Sequence, residues 1–188
     1  MDILTSTINR EIANFFISDS KEFLFRYQKL KEFQNHLSNR SKLMIDLLFS
    51  IECSLKALIF FESTEDEKMT YKRIKTHNLK NLSDRILDRT GLADLEQSIL
   101  DNSEIYNVSS RHTLDANINF REEHVLGRRY YGTIADFVWL EKLYEVAKGV
   151  MEFAESKDST VFQPTNFTDF DLDILIEKSN RIINISTR

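Results

Sequence analysis

The sequence predicts an all-α fold, an up-and-down helical bundle with an extra helix at its C-terminal end. Its 188 residues include only four Gly and one Pro, so few positions interrupt a long helix. Hydrophobic residues make up 41% of the chain, which is enough for a core, and they recur at helical spacing. All-β folds and disordered chains usually contain more Gly and Pro than this.

The N-terminal region predicts two helices in succession. An apolar stripe that includes Ile12 runs along the first helix, which extends from Leu4 to Ser18. Ser20 is a typical N-cap residue, so it predicts that a second helix begins there and continues to Leu37.

The clearest helix is predicted from Ser41 to Glu62. Apolar residues cover more than half of its circumference, and a helix with this pattern belongs at the centre of a bundle. The polar segment that follows, residues 63–77, predicts a loop. Thr76 is then expected to cap a short helix over residues 78–89.

Gly91 is expected to end that short helix, and residues 92–106 predict another one. Residues 107–132 have no regular apolar spacing and contain four arginines, so they are the best candidate for a functional loop. A long helix is predicted next, over residues 133–156, because apolar residues again recur at helical spacing.

The predicted elements form one helical domain, residues 1–156, followed by a linker, residues 157–168. A last amphipathic helix, Phe170–Ile185, lies within the C-terminal segment 169–188. We expect this segment to pack on the same domain.

The composition indicates a cytoplasmic protein with no membrane segment, no metal and no cofactor. No apolar run is long enough to span a bilayer, and the N-terminus lacks the pattern of a signal peptide. A single cysteine, Cys53, excludes an internal disulfide, and the four histidines lack the spacing of metal ligands. The net charge of −5 argues against a general nucleic-acid binder, although Lys and Arg outnumber Asp and Glu in the first half.

Three groups of polar residues are candidates for a binding or catalytic site. The first is Glu52 with Lys56, four residues apart on the apolar central helix. A carboxylate on an apolar stripe needs a partner. The pair is therefore either a structural ion pair or part of a functional site.

The second group is a basic stretch after the central helix. Such a stretch either binds phosphate or nucleic-acid backbone, or remains solvated with no ligand. Its members are Lys72, Arg73, Lys75, His77 and Lys80.

The third group lies in the segment without regular apolar spacing. Arginines recognise phosphates through paired hydrogen bonds, and a nearby histidine can transfer a proton. The same arginines can instead neutralise neighbouring acidic helices. The group consists of Arg111, His112, Arg121, His124, Arg128 and Arg129.

Three segments, in order, resemble those of HEPN domains, which are small helical bundles in prokaryotic toxin, defence and nucleotidyltransferase-associated proteins. The central helix reads LLFSIECSLKAL over residues 47–58, and THNLKNL follows over residues 76–82. Arg129 and Tyr130 then precede a long helix. The resemblance covers residues 40–155 and implies an HEPN-like bundle.

Many HEPN domains are metal-independent RNases whose motif is an Arg, four to six residues, and then a His. None of the four histidines of this chain follows an arginine at that distance. Arg73 is one residue too close to His77, and Arg121 is two residues too close to His124. The resemblance therefore implies a non-catalytic module that binds a protein partner, a nucleotide or RNA in a defence or toxin–antitoxin setting.

The resemblance also implies a homodimer and a protein partner such as a nucleotidyltransferase. Two alternatives stay open beside this reading. In one, the chain is a metal-independent RNase that uses Arg111 and His112 at a displaced site. In the other, it is a scaffold whose acidic C-terminal helix docks on another protein.

Overall fold

The computed structural model describes residues 3–33, 36–103, 105–106, 112–121, 129–158 and 169–185. These residues contain helices and no β-strand, which confirms the all-α prediction. The helices are α1 (Ile3–Leu30), α2 (Leu37–Glu62), α3 (Glu67–Arg73), α4 (Leu79–Ser83), α5 (Ala93–Asn102), α6 (Thr113–Arg121), α7 (Phe137–Ser156) and α8 (Asp169–Ile183), with a 3-10 turn at Lys31–Phe33.

Helix α2 lies at the centre of the core, as its nearly continuous apolar surface predicts. Leu47, Ile51, Leu55 and Leu58 of this helix are completely buried. A helix that is apolar on most of its circumference must be covered on several sides, and α1, α4 and α7 all contact α2. The predicted central helix is confirmed.

Helices α1 and α2 run antiparallel, because contacts late in α1 involve residues early in α2. The ring of Phe16 stacks on that of Phe60 at 6.0 Å between centroids, and the ring of Phe23 lies 5.3 Å from that of Phe49. Aromatic pairs at these distances add packing energy to the buried area.

The prediction of two helices between residues 4 and 37 was wrong, since α1 continues without a break to Leu30. Ser20 begins no helix. Its Oγ is buried and lies 2.8 Å from the hydroxyl oxygens of both Ser50 and Ser54 on α2. A serine with this inter-helix partner resembles an N-cap residue in sequence, and that explains the error.

The polar segment 63–77 is not a simple loop, because it contains α3. Asp66 caps this helix, and its side chain accepts a hydrogen bond of 2.9 Å from the backbone N–H of Met69. The cap of α4 is Asn78 and not Thr76, since the Asn78 side chain accepts from the Asn81 N–H at 2.9 Å.

Helix α4 ends at Ser83, earlier than predicted. The chain beyond it is held by Glu62 at the end of α2, whose carboxylate accepts hydrogen bonds from the N–H groups of Leu87 and Asp88 at 2.7 and 3.0 Å. These bonds satisfy backbone donors outside a helix. A side chain at Gly91 would overlap the ring of Phe153, so only glycine fits there.

The predicted functional loop, residues 107–132, contains α6 and is therefore not a loop throughout. Helix α7 begins at Phe137 and not near residue 133. Its cap is Asp136, whose side chain accepts a hydrogen bond of 2.9 Å from the Val138 N–H. The side chain of Asp136 fixes a start that apolar spacing alone does not mark.

Helix α8 contacts α1 and α3. Lys178 pairs with Glu11, and Arg181 pairs with Glu67 at 2.5 Å. Most of the predicted linker, residues 159–168, lies outside the described residues. No helix in the described part of the chain has both the length and the hydropathy to cross a membrane.

Candidate functional site

The clearest candidate site joins Glu52, Lys56 and His77, which belong to two separate groups in the sequence. Helix α2 places Glu52 and Lys56 one turn apart, and Lys56 Nζ lies 2.6 Å from Glu52 Oε1. His77 comes from the segment between α3 and α4, and its Nδ1 lies 3.1 and 3.0 Å from the two carboxylate oxygens of Glu52. One carboxylate therefore holds both an ammonium group and an imidazole ring.

Burial differs sharply among these three side chains. Glu52 is 6% exposed and Lys56 14%, whereas 68% of the His77 side chain is open to solvent. A carboxylate accepts hydrogen bonds, so this contact is a hydrogen bond when the imidazole carries a proton on Nδ1. The imidazole is thus held from its inner edge while its outer part remains accessible to a ligand.

His77 belongs to a wider cationic surface, here called the basic face, whose members are Lys72, Arg73, Lys75, His77 and Lys80. All five of these side chains are exposed. Arg73 Nη1 pairs with Glu65 at 3.1 Å, and Lys80 Nζ pairs with Asp84 at 2.8 Å. Exposed pairs of this kind contribute only about 0–1 kcal/mol each, so a ligand with negative charge can replace the acidic partner.

The charge of this region is unlike that of the whole chain. Between Glu67 and Arg89, seven Lys and Arg residues stand against three acidic residues, although the net charge of the protein is −5. The basic face is therefore a cationic stretch of an acidic chain, in which Glu65 and Asp84 pair with two of the five side chains.

The structure describes the third predicted group only in part. Arg111, His124 and Arg128 lie outside the described residues. His112 is exposed just before α6, and Arg121 is exposed at the end of that helix.

Arg129 is exposed as well and donates to the backbone carbonyl of Asp101 at 3.2 Å. This bond ties the helical residues 129–131, which precede α7, to the end of α5. The role proposed for Arg111 and His112 stays a prediction.

Two buried carboxylates outside these groups were not singled out from the sequence. Glu67, 5% exposed, receives hydrogen bonds from Arg181 on α8, and these hold the pKa of its carboxyl below the usual range although burial raises it. Asp46, 7% exposed, lies 3.1 Å from Arg26, and burial raises its pKa to about 6 against the opposing effect of that arginine. Neither arginine stands near its partner in the sequence, so no local pattern reveals these pairs.

Cys53 follows Glu52 on α2 and does not supply a nucleophile. Burial raises the pKa of its thiol to about 12, so the thiol stays protonated at neutral pH. Within the described residues, no three His, Cys, Asp or Glu side chains are placed to hold a metal ion.

No family model matches the chain, and no curated protein or solved structure matches it either. The likeness to HEPN domains therefore depends on the three sequence segments alone.

Proposed function

We propose that the chain is a non-catalytic, HEPN-like helical module that binds RNA through the basic face. The observation that carries the proposal is the positive charge concentrated between Glu67 and Arg89 on an otherwise acidic chain. Phosphate backbones bind to such surfaces because cations replace the counterions of the nucleic acid.

The position of His77 supports the same proposal. Its ring is mostly exposed, between Lys75 and Lys80 in the sequence, while Glu52 fixes its inner edge. A histidine held in this way can donate to a phosphate oxygen or stack on an unpaired base. A free nucleotide also carries a phosphate and a base, so the same side chain can bind it in the same way.

The resemblance to HEPN domains supplies the rest of the proposal. It favours a prokaryotic defence or toxin–antitoxin setting, a homodimer and a partner such as a nucleotidyltransferase. None of the histidines has an arginine at the spacing of the RNase motif, and this supports a module that binds without cleaving.

The proposal is tested by fluorescence anisotropy with a labelled single-stranded RNA over a range of salt concentrations. The double variant Lys72→Glu/Lys75→Glu should bind at least about tenfold more weakly, and its affinity should depend less steeply on salt. Circular dichroism checks that its helices remain intact.

The matched control is the double variant Lys29→Glu/Lys142→Glu, which changes the net charge equally. Lys29 is exposed late in α1, and Lys142 is exposed beside Glu141, which bonds to Tyr27 of α1 and so lies away from the basic face. Equal weakening in both double variants would show that only total charge matters and would contradict the proposal.

A second candidate function is a metal-independent RNase in which His77, rather than His112, transfers the proton. The pair Glu52–His77 favours it, because a buried carboxylate orients the imidazole in many acid–base sites. Purified protein would be incubated with tRNA in the presence of a chelator.

In that experiment, loss of cleavage in His77→Gln with cleavage retained in His112→Ala would support the site at His77. The reverse result would support the site predicted at Arg111 and His112. If the unchanged protein does not cleave tRNA, the RNase hypothesis is wrong and the RNA-binding module remains the proposed function.

A further inference from the structure

A groove between α4 and α5 opens beside the basic face. Its volume is about 150 Å³, and Lys80, which belongs to the basic face, lines it together with Ile99. A neighbouring cavity of about 140 Å³ shares both of these residues and extends along α4 to Asn78 and Tyr106. A cavity of about 150 Å³ is large enough to accept a six-membered ring.

Ser83 gives this groove a polar group without a partner. The residue is 2% exposed, and among the described residues its Oγ has no hydrogen-bond partner. Buried hydroxyls are nearly always hydrogen-bonded, and a hydroxyl donates one bond and accepts others. The hydroxyl is covered in this structure, so rotation about its Cα–Cβ bond would bring it to a ligand in the groove that offers a donor or an acceptor.

Arg89 provides a flat surface at the rim of the groove. Two of its nitrogens lie 2.6 and 2.5 Å from Glu96 Oε1, so its hydrogen-bonding edge is occupied by a carboxylate. A guanidinium that is bound at its edge keeps its planar face for stacking, and unpaired bases stack on such faces. Ile99 supplies an apolar wall for the same ring.

We infer that this groove receives the base of an unpaired pyrimidine nucleotide, with Ser83 Oγ bonded to the polar edge of the ring. The inference rests on the proposed RNA-binding function, because Lys80 belongs both to the basic face and to the lining of the groove. A volume of about 150 Å³ accommodates the single ring of a pyrimidine. The groove would add recognition of a base to the basic face, which otherwise contacts only the sugar-phosphate backbone of the RNA.

The test compares two ligands of equal length by fluorescence anisotropy, an oligouridylate and an abasic ribose-phosphate oligomer. The unchanged protein should prefer the oligouridylate. Ser83→Ala should weaken that binding about three- to tenfold, the effect of one hydrogen bond, and leave binding of the abasic oligomer unchanged. Since the hydroxyl has no partner among the described residues, this substitution should not lower the melting temperature.

A second variant blocks the groove without touching its buried floor. Leu100 lines the groove and is 71% exposed, so Leu100→Trp should reduce binding of the oligouridylate. Leu87 is 81% exposed and is not part of the lining, so Leu87→Trp is the matched control.

If the protein binds both oligomers with equal affinity, and neither Ser83→Ala nor Leu100→Trp changes that affinity, the inference that the groove binds a base is wrong. The proposal that the basic face binds RNA would still hold. Absence of binding to either oligomer would overturn both. If low concentrations of uridine monophosphate displace the oligouridylate, the ligand of the groove is a free nucleotide. That result would contradict the inference that the groove binds a base of an RNA strand.

Discussion

Glu52 and Glu67 are two buried carboxylates with nearly equal exposure, 6% and 5%, and different surroundings. Glu52 is held by Lys56 on its own helix and by the exposed ring of His77. Glu67 is held by Arg181, which comes from α8 at the far end of the sequence and is only 25% exposed.

This difference shows that a buried carboxylate serves a different purpose at each of the two positions. At Glu67, the cation joins α8 to α3 and is largely covered, so the pair stabilises the contact between these helices. At Glu52, the lysine neutralises the charge within the helix, and the carboxylate is left to orient a histidine that a ligand can reach. This distinction is tested through the stability of variants at Arg181 and at His77 and Lys56, with Asp46 as a third buried carboxylate for comparison.

The largest effect is expected from Arg181→Met, which leaves Glu67 buried without its cation. We expect the free energy of unfolding to fall by about 2–3 kcal/mol at neutral pH, since breaking a buried pair leaves an uncompensated charge. Urea denaturation measures it. The double variant Glu67→Met/Arg181→Met should recover most of the loss, and an equally unstable double variant would contradict the assigned role of the pair.

The pH dependence of Arg181→Met supplies a further check. Because the pKa of Glu67 is lowered in the folded protein, its contribution to stability is fully present above the ordinary value of 4.5 and is lost as the pH falls below that value through the lowered pKa of the folded state. The difference between Arg181→Met and the unchanged protein should therefore shrink in acid. A difference that stays constant down to low pH would assign the effect to packing of the arginine.

A smaller effect of opposite sign is expected from Asp46→Asn. The pKa of Asp46 is raised from 3.8 to about 6, so ionisation of this buried group destabilises the folded protein as the pH rises through that interval. The variant should be more stable than the unchanged protein by about 1–2 kcal/mol above pH 6, with no gain below pH 4. Urea denaturation in acid and at neutral pH measures both values.

The smallest effect is expected from His77→Gln, below about 0.5–1 kcal/mol, because the ring is mostly exposed and Lys56 still neutralises Glu52. Lys56→Met should cost more, since it removes the better-buried partner. If thermal unfolding ranks these two variants in the opposite order, the histidine has a structural role and the comparison with Glu67 fails.

Regular apolar spacing was sufficient to predict α2 and the body of α7 from the sequence. Short elements were harder, because α3 depends on the cap at Asp66 within a polar stretch that has no apolar stripe. The break predicted at Ser20 failed since a hydroxyl that bonds across a helix interface looks the same in sequence as one that caps a helix.

The candidate site was predictable in its parts but not as a whole. The four-residue spacing of Glu52 and Lys56 indicates a pair, and the charge run indicates a basic surface. Their union through His77 depends on how the segment between α3 and α4 folds back onto α2, which no local pattern encodes. Arg181 and Glu67, 114 residues apart, illustrate the same point.

The three hydroxyls of Ser20, Ser50 and Ser54 have a consequence for the alignment of α1 against α2. Two mostly apolar helices can slide past each other by one turn and still bury similar side chains. Ser50 and Ser54 are themselves one turn apart, so such a slip would leave Ser20 beside only one of them. The other hydroxyl would be buried without this partner, at a cost of about 1–3 kcal/mol. The serines thus select one register of the two longest helices, much as a buried polar residue does in a coiled coil.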